Sequence, residues 1–268
     1  MTVTFVVPTR NAARTLAACL ASIKAQRGAE TELIVVDNGS TDGTRPIAEQ
    51  FADAVIDAGP ERSAQRNIGA RAASGAFVVF VDADMVLPID VARDVTALLG
   101  SGGDPGVRAV VLPELAFGDG FWARCRGLEK ELYLGDPSVE AARGFRRDEF
   151  LACGGYDETL TGGEDWELAD RVLGVHGSTA RASGTVWHDE GRIVLRHTFA
   201  KKRYYGRGLA AYLRAAAPRR TFERQAFRAR ARWLRRPALA VGLSVLKSVE
   251  VSGLVLGIAE ARVARAGR

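Results

Sequence analysis

Short apolar runs at residues 3–7, 33–36, 54–56, 77–81 and 109–112 recur through the first half of the chain, separated by stretches of helical periodicity. An apolar run without polar alternation buries both of its faces, as strands do inside a helix-covered parallel sheet. Between the runs, residues 14–26 place Leu16, Leu20 and Ile23 at helical spacing, and residues 62–73 are rich in Ala and Arg. Strand and helix in alternation predict an α/β fold with a mostly parallel central sheet flanked by helices. Ligands of such sheets bind outside the carboxyl ends of the strands. The residues that follow each run are therefore where chemistry is expected.

The run 77–81 leads straight into Asp82-Ala83-Asp84. If extended geometry persists to Asp84, side-chain alternation points both carboxylates the same way. Paired hard oxygen donors suit Mn2+ or Mg2+, whose remaining positions go to water and phosphate. Taken alone, the pair also reads as solvated turn residues. Pro8-Thr9-Arg10-Asn11 follows the first run, and Asp37-Asn38-Gly39-Ser40-Thr41-Asp42-Gly43-Thr44 the second. Turn and capping chemistry accounts for each singly. Three polar strand ends on one sheet edge instead describe a crevice. A second acidic pair, Glu164-Asp165, opens a helix-like segment, where it also complements the helix macrodipole.

Charge is divided along the chain. Residues 1–195 hold 19 Lys/Arg against 29 Asp/Glu, whereas residues 196–268 hold 18 against 3. Such a basic tail suits nucleic acid, an anionic membrane surface, or the acidic body itself. Within it, residues 197–217 and 222–236 read as basic helices, the second with Phe222, Ala226, Ala229 and Trp233 along one side. Residues 238–259 are mostly apolar but contain Lys247 and Glu250, short of the uninterrupted ~18 apolar residues of a clear span. Ser244, Lys247, Ser248 and Ser252 gather on one side, which predicts an interfacial or protein-docked helix. Cys19, Cys125 and Cys153 have no metal-type spacing and cannot all pair, and the N-terminus enters a strand without a signal-like segment. A reducing, cytoplasmic location is expected.

In order along residues 3–190, Pro8 to Asn11, Val35 to Thr44, Ala64-Gln65-Arg66-Asn67-Ile68-Gly69, Phe80 to Asp84, Gly154-Gly155-Tyr156-Asp157-Glu158 and Gly163-Glu164-Asp165-Trp166-Glu167-Leu168 resemble the motifs of the family 2 glycosyltransferases. The resemblance implies the GT-A fold and inverting, non-processive transfer from a nucleotide diphosphate sugar (UDP, GDP or dTDP) to an acceptor hydroxyl. It implies a catalytic domain over 1–195, with a nucleotide-binding half (1–112) and an acceptor-binding half (113–195), followed by a helical extension (196–268). Thr9 and Asp37 would grip the nucleobase with Arg66 nearby. The implied nucleotide-sugar-binding set is Pro8, Thr9, Asn11, Asp37, Asn38, Ser40, Arg66, Asp82 and Ala83. Asp84, with Asp82 and His188, would hold the metal. Asp165 would be the general base, and Glu164 would position the acceptor or the base. The Gln-x-x-Arg-Trp pattern of processive synthases does not occur, so one sugar per acceptor is expected.

The basic tail and amphipathic segment together predict peripheral contact with the inner membrane face and a lipid-linked acceptor. A nucleotidyltransferase would also need a nucleotide crevice and an Asp pair, but residues 8–13 contain no glycine to cradle a triphosphate. A nucleic-acid-binding role would rest on the tail alone, against an acidic body and without a recognition motif.

Overall fold

The computed structural model describes residues 1–136, 139–160, 163–174, 177–215 and 235–266. The chain runs β1 (Thr2–Thr9), α1 (Leu16–Lys24), β2 (Glu30–Asp37), α2 (Thr44–Phe51), β3 (Ala54–Asp57), α3 (Arg62–Ala72), β4 (Phe77–Phe80), β5 (Met85–Val86), α4 (Val91–Leu99) and β6 (Val107–Val111). It continues through β7 (Glu114–Asp119), α5 (Gly120–Tyr133), β8 (Ala142–Arg146), α6 (Arg147–Ala152), α7 (Glu164–Leu173), β9 (Ser178–Arg181), β10 (Val186–Arg192) and α8 (Leu195–Ala215) to α9 (Pro237–Ala266). Two compact units interleave: residues 1–114, 140–158 and 164–188 form one, and residues 115–139, 159–163 and 189–268 the other.

The first unit is built on a seven-stranded sheet of order β3-β2-β1-β4-β8-β6-β9. β1 to β4 are parallel, as is the β6–β9 pair, while β8 is antiparallel to both of its neighbours. Val3, Phe5 and Val7 pack on one face with Leu16, Leu20 and Ile23 of α1 and Val91, Val95 and Leu99 of α4. Val6, Val78, Phe80, Phe145 and Phe150 pack on the other. Odd and even residues of one strand thus enter different cores, and this two-sided burial is why the runs show no polar alternation. Helix α3 lies hard against β1, since a Cβ at Gly69 would fall 2.2 Å from Val6 Cγ1. Only glycine permits that approach, which brings Arg66, one turn earlier, down onto the sheet.

Strand geometry stops at Phe80, so the condition for Asp82 and Asp84 to point the same way is not met. Asp82, Ala83 and Asp84 form a turn closed by the Met85 N–H donating to the Asp82 carbonyl at 3.0 Å. Period-two alternation therefore does not govern the two carboxylates, and they take different partners.

In the second unit, Cys125, Leu128 and Leu132 of α5 pack with Leu243 and Leu246 of α9. Helix α8 approaches α9 at Gly253 and Gly257, where added Cβ atoms would lie 2.6 Å and 2.0 Å from the Phe199 and Arg203 carbonyl oxygens. Small residues let helix backbones meet this closely. Helix α9 is docked on protein along one side, one of the alternatives expected for residues 238–259, and Pro237–Val263 is also long and apolar enough to cross a membrane by length and composition. Lys247 and Glu250 do not break that pattern outwardly because they turn inward. Lys247 Nζ sits 2.6 Å from Glu129 and 2.9 Å from Glu250, and Arg126 pairs with both glutamates. Of the expected basic helices, the first is α8 as far as Ala215, and residues 216–234, with Phe222 and Trp233, lie outside the described residues.

Burial alone would push the Glu250 carboxyl up, but Lys202, Arg126 and Lys247 hold it at about 2. Glu250→Gln leaves these cations under-compensated and should cost about 3–5 kcal/mol in chemical denaturation. Because the folded pKa lies below the ordinary 4.5, this contribution is present above that value and disappears as pH falls toward about 2. The difference between wild type and variant should shrink across the same window.

Candidate active site

The carboxyl ends of β1 and β2 are knitted together through Asp37. Thr9 Oγ1 donates to Asp37 Oδ1 at 2.9 Å, Ser40 Oγ to the same oxygen at 2.5 Å, and the Ser40 N–H to Oδ2 at 3.0 Å. A carboxylate has about four acceptor positions, so Oδ2 keeps capacity for a further donor. Gln65 Nε2 fastens both strand ends from α3, donating to the carbonyls of Val36 at 2.6 Å and Thr9 at 3.0 Å. Asn11 sits in the left-handed region at φ 49°, a conformation asparagine tolerates. Its N–H donates to Ser40 Oγ at 2.8 Å and its Oδ1 accepts from the Thr41 N–H at 2.9 Å. Asn38 Nδ2 donates to the Pro60 carbonyl at 2.7 Å, and Pro8 lies opposite Val36 in the β1–β2 register. Pro8, Thr9, Asn11, Asp37, Asn38 and Ser40 thus share one edge.

A second cluster is organised by two buried arginines. Arg66, 1% exposed, donates from Nη2 to Asp82 Oδ1 at 2.8 Å and from Nη1 to Asp165 Oδ1 at 3.0 Å. Its guanidinium stands 5.0 Å over the Tyr156 ring. Arg143 on β8 donates from Nη2 to Asp82 Oδ2 at 3.2 Å and from Nε to Glu114 Oε1 at 2.7 Å. Arg62 Nη2 donates to Glu164 Oε1 at 3.0 Å. Burial works against a charged Asp82, but Arg143, Arg66 and Arg62 hold its carboxyl well below the usual range. Glu164 goes the other way, raised by burial and by its neighbour Asp165.

Asp84 leaves this arginine framework. Its Oδ2 lies 3.1 Å from His188 Nε2, while His188 Nδ1 faces Glu114 Oε2 at 4.0 Å. His188 is held there by strand pairing, opposite Met85 of β5. One carboxylate and one imidazole would together hold a divalent cation, the imidazole favouring Mn2+ over Mg2+. Carboxylates outnumber guanidiniums in the cluster, which also favours a cation. Among the described residues no group of three or more His, Cys, Asp or Glu is gathered for a metal. The residues fit a metal shared with substrate better than a closed protein cage.

Both oxygens of Asp82 are engaged by guanidiniums, so the structure groups it with Arg66 and Arg143 and places Asp84 with His188. Ala83 is buried in the turn between the two acids. Arg66, expected near the nucleobase, has its guanidinium on Asp82 and Asp165. Arg143, Glu114, Gln65 and Tyr156 were not among the expected site residues. A lone arginine within the apolar stretch Ala141-Ala142-Arg143-Gly144-Phe145 was the one signal for Arg143. His197 is exposed at the start of α8, and His176 lies outside the described residues.

Residues 4–111 match the model of glycosyl transferase family 2. The chain belongs to the family 2 glycosyltransferases. It is similar to the pre-mycofactocin glycosyltransferase of Mycobacterium tuberculosis, with 34% identity over 247 residues that cover 82% of this chain and 49% of the relative. The chain thus spans about half the length of that relative. Its fold is shared with the mannosyltransferase PcManGT from Pyrobaculum calidifontis, solved with GDP-Man and Mn2+, at TM-score 0.58, 22% identity, and coverage of 99% of this chain and 75% of that one. It is also shared with glucosyl-3-phosphoglycerate synthase from M. tuberculosis, solved with Mn2+, UDP and glucosyl-3-phosphoglycerate, at TM-score 0.53, 22% identity, and coverage of 78% and 79%. These likenesses establish the GT-A fold for this family 2 chain.

Arg66→Met strands Asp82 and Asp165 without their shared cation and should lower stability by about 3–5 kcal/mol. The double variant with Asp165→Asn should cost less than the sum of the two single changes, measured by chemical denaturation, because both remove one interaction.

Proposed function

We propose that this family 2 glycosyltransferase moves a single sugar from a nucleotide diphosphate sugar to an acceptor hydroxyl with inversion, using Asp165 as the base. The observation that carries the reading is Arg66, whose two nitrogens hold Asp82, in the turn after β4, and Asp165, at the start of α7. One buried, planar side chain thereby fixes a donor-side carboxylate relative to the candidate base.

The donor's base and ribose belong at the β1–β2 edge, where Thr9 and Ser40 orient Asp37 and leave Oδ2 able to accept from a base N–H. Asp82, kept ionised by its arginines, is placed to accept from sugar hydroxyls of the donor. Arg66 occupies Asp165 Oδ1, which leaves Oδ2 to take the proton as the acceptor oxygen attacks the anomeric carbon. Attack from the face opposite the departing diphosphate inverts that carbon. Glu164, buried beside Asp165 and held by Arg62, is suited to hydrogen-bond the acceptor. Asp84 and His188 would hold Mn2+ or Mg2+, which neutralises charge on the leaving diphosphate. Fold relatives solved with Mn2+ and GDP-Man or UDP support a divalent cation and a nucleotide-sugar donor.

The catalytic body comprises residues 1–195 and the extension residues 196–268. The basic, apolar extension supports an acceptor met at the inner membrane face, such as a lipid-linked sugar or alcohol.

Two substitutions separate the roles. Asp165→Asn should bind donor normally yet transfer about 10²–10⁴-fold more slowly, whereas Asp84→Asn should lose metal-dependent donor binding. Calorimetric titration and single-turnover transfer across UDP-, GDP- and dTDP-sugars provide the measurements. Normal transfer by Asp165→Asn removes the assigned base, and tight donor binding by every protein in metal chelator removes the metal.

A further inference from the structure

Helix α9 inverts the usual arrangement of a surface helix. Two of its charged residues, Lys247 and Glu250, face inward, where they join Arg126 and Glu129. Glu260 near its end is taken by Arg203 and Arg207. Its exposed side carries Val241 at 67% exposure, Val245, Val251, Val255 at 59% and Leu256. Side chains three and four apart share a helix face, so these residues form one stripe along the helix.

Two serines on that stripe turn their hydroxyls onto the helix's own carbonyls. Ser244 Oγ donates to the Ala240 carbonyl at 3.0 Å and Ser248 Oγ to the Ser244 carbonyl at 2.9 Å. A helix also satisfies its own backbone groups, so the face can enter a medium without hydrogen-bonding solvent. Basic side chains stand at both ends of it: Arg235 precedes the helix and Arg262 is exposed in its last turns. An apolar stripe with cations at its ends matches the boundary between anionic headgroups and acyl chains. The opposite face of α9 is packed against α5 and α8 through Leu243, Leu246, Gly253 and Gly257. Only one side is therefore available to lipid.

We propose that the Val241–Val255 face of α9 inserts into the acyl boundary of an anionic bilayer, lying in the membrane plane. This rests on the reading that the extension meets a membrane, and it names the surface that does so.

The test is co-sedimentation of the full-length protein with phosphatidylcholine vesicles, with and without phosphatidylglycerol, for wild type and for the triple variant Val245→Glu, Val251→Glu, Val255→Glu. These positions lie on the exposed helix side, so the variant's thermal midpoint and donor-sugar hydrolysis should match wild type. Wild type should partition onto phosphatidylglycerol vesicles, and the variant at least tenfold less. Equal partition of the two proteins overturns the assigned face while leaving membrane contact through other basic residues. Absence of wild-type binding to either vesicle overturns both the face and the membrane reading. A wild-type dimer without vesicles that the variant abolishes would instead make the stripe a contact between two copies, which also overturns the proposal.

Discussion

The interaction on which the candidate site depends is the burial of Arg66 between Asp82 and Asp165. A guanidinium withdrawn from water is tolerated only when its charge is returned by partners of good geometry. Here the partners come from the turn after β4 and the start of α7, 83 residues apart in the chain. Gly69 makes this possible by letting α3 settle against Val6. A bulkier residue would lift the helix and carry Arg66 away from both acids.

From that core the contacts run outward in one connected chain. Arg66 and Arg143 share Asp82, Arg143 also holds Glu114, Glu114 faces His188, and His188 meets Asp84. The sequence therefore alternates cation and anion from Asp165 to the donor pair suited to metal. The order explains why two acids one residue apart have different surroundings. Asp82 is fixed by arginines inside the cluster, while Asp84, beyond the turn, is partly exposed and, among the described residues, pairs with His188.

The second unit solves a related problem with another outcome. Arg126, Glu129, Lys247 and Glu250 neutralise one another inside a helical packing, so charges that interrupt the α9 sequence do not appear on its outer side. Reading polarity along the chain gave an amphipathic helix with Lys247 on a polar face. In space Lys247 is drawn to Glu129, and the serines beside it close their hydroxyls on their own helix.

Local pattern alone determined the strand runs, their parallel arrangement, the polar strand ends and the two acidic pairs, because period, burial and turn chemistry are written into neighbouring residues. Asp37 with Thr9 and Ser40 was legible for that reason, since both segments follow recognisable strands. Tertiary structure alone decided where Arg66 points, that Arg143 and Glu114 join the site, that β8 enters antiparallel between β4 and β6, and which face of α9 is left outside. Those outcomes depend on ion pairs and packing between residues distant in sequence, and no spacing along the chain encodes the partner a buried charge will find.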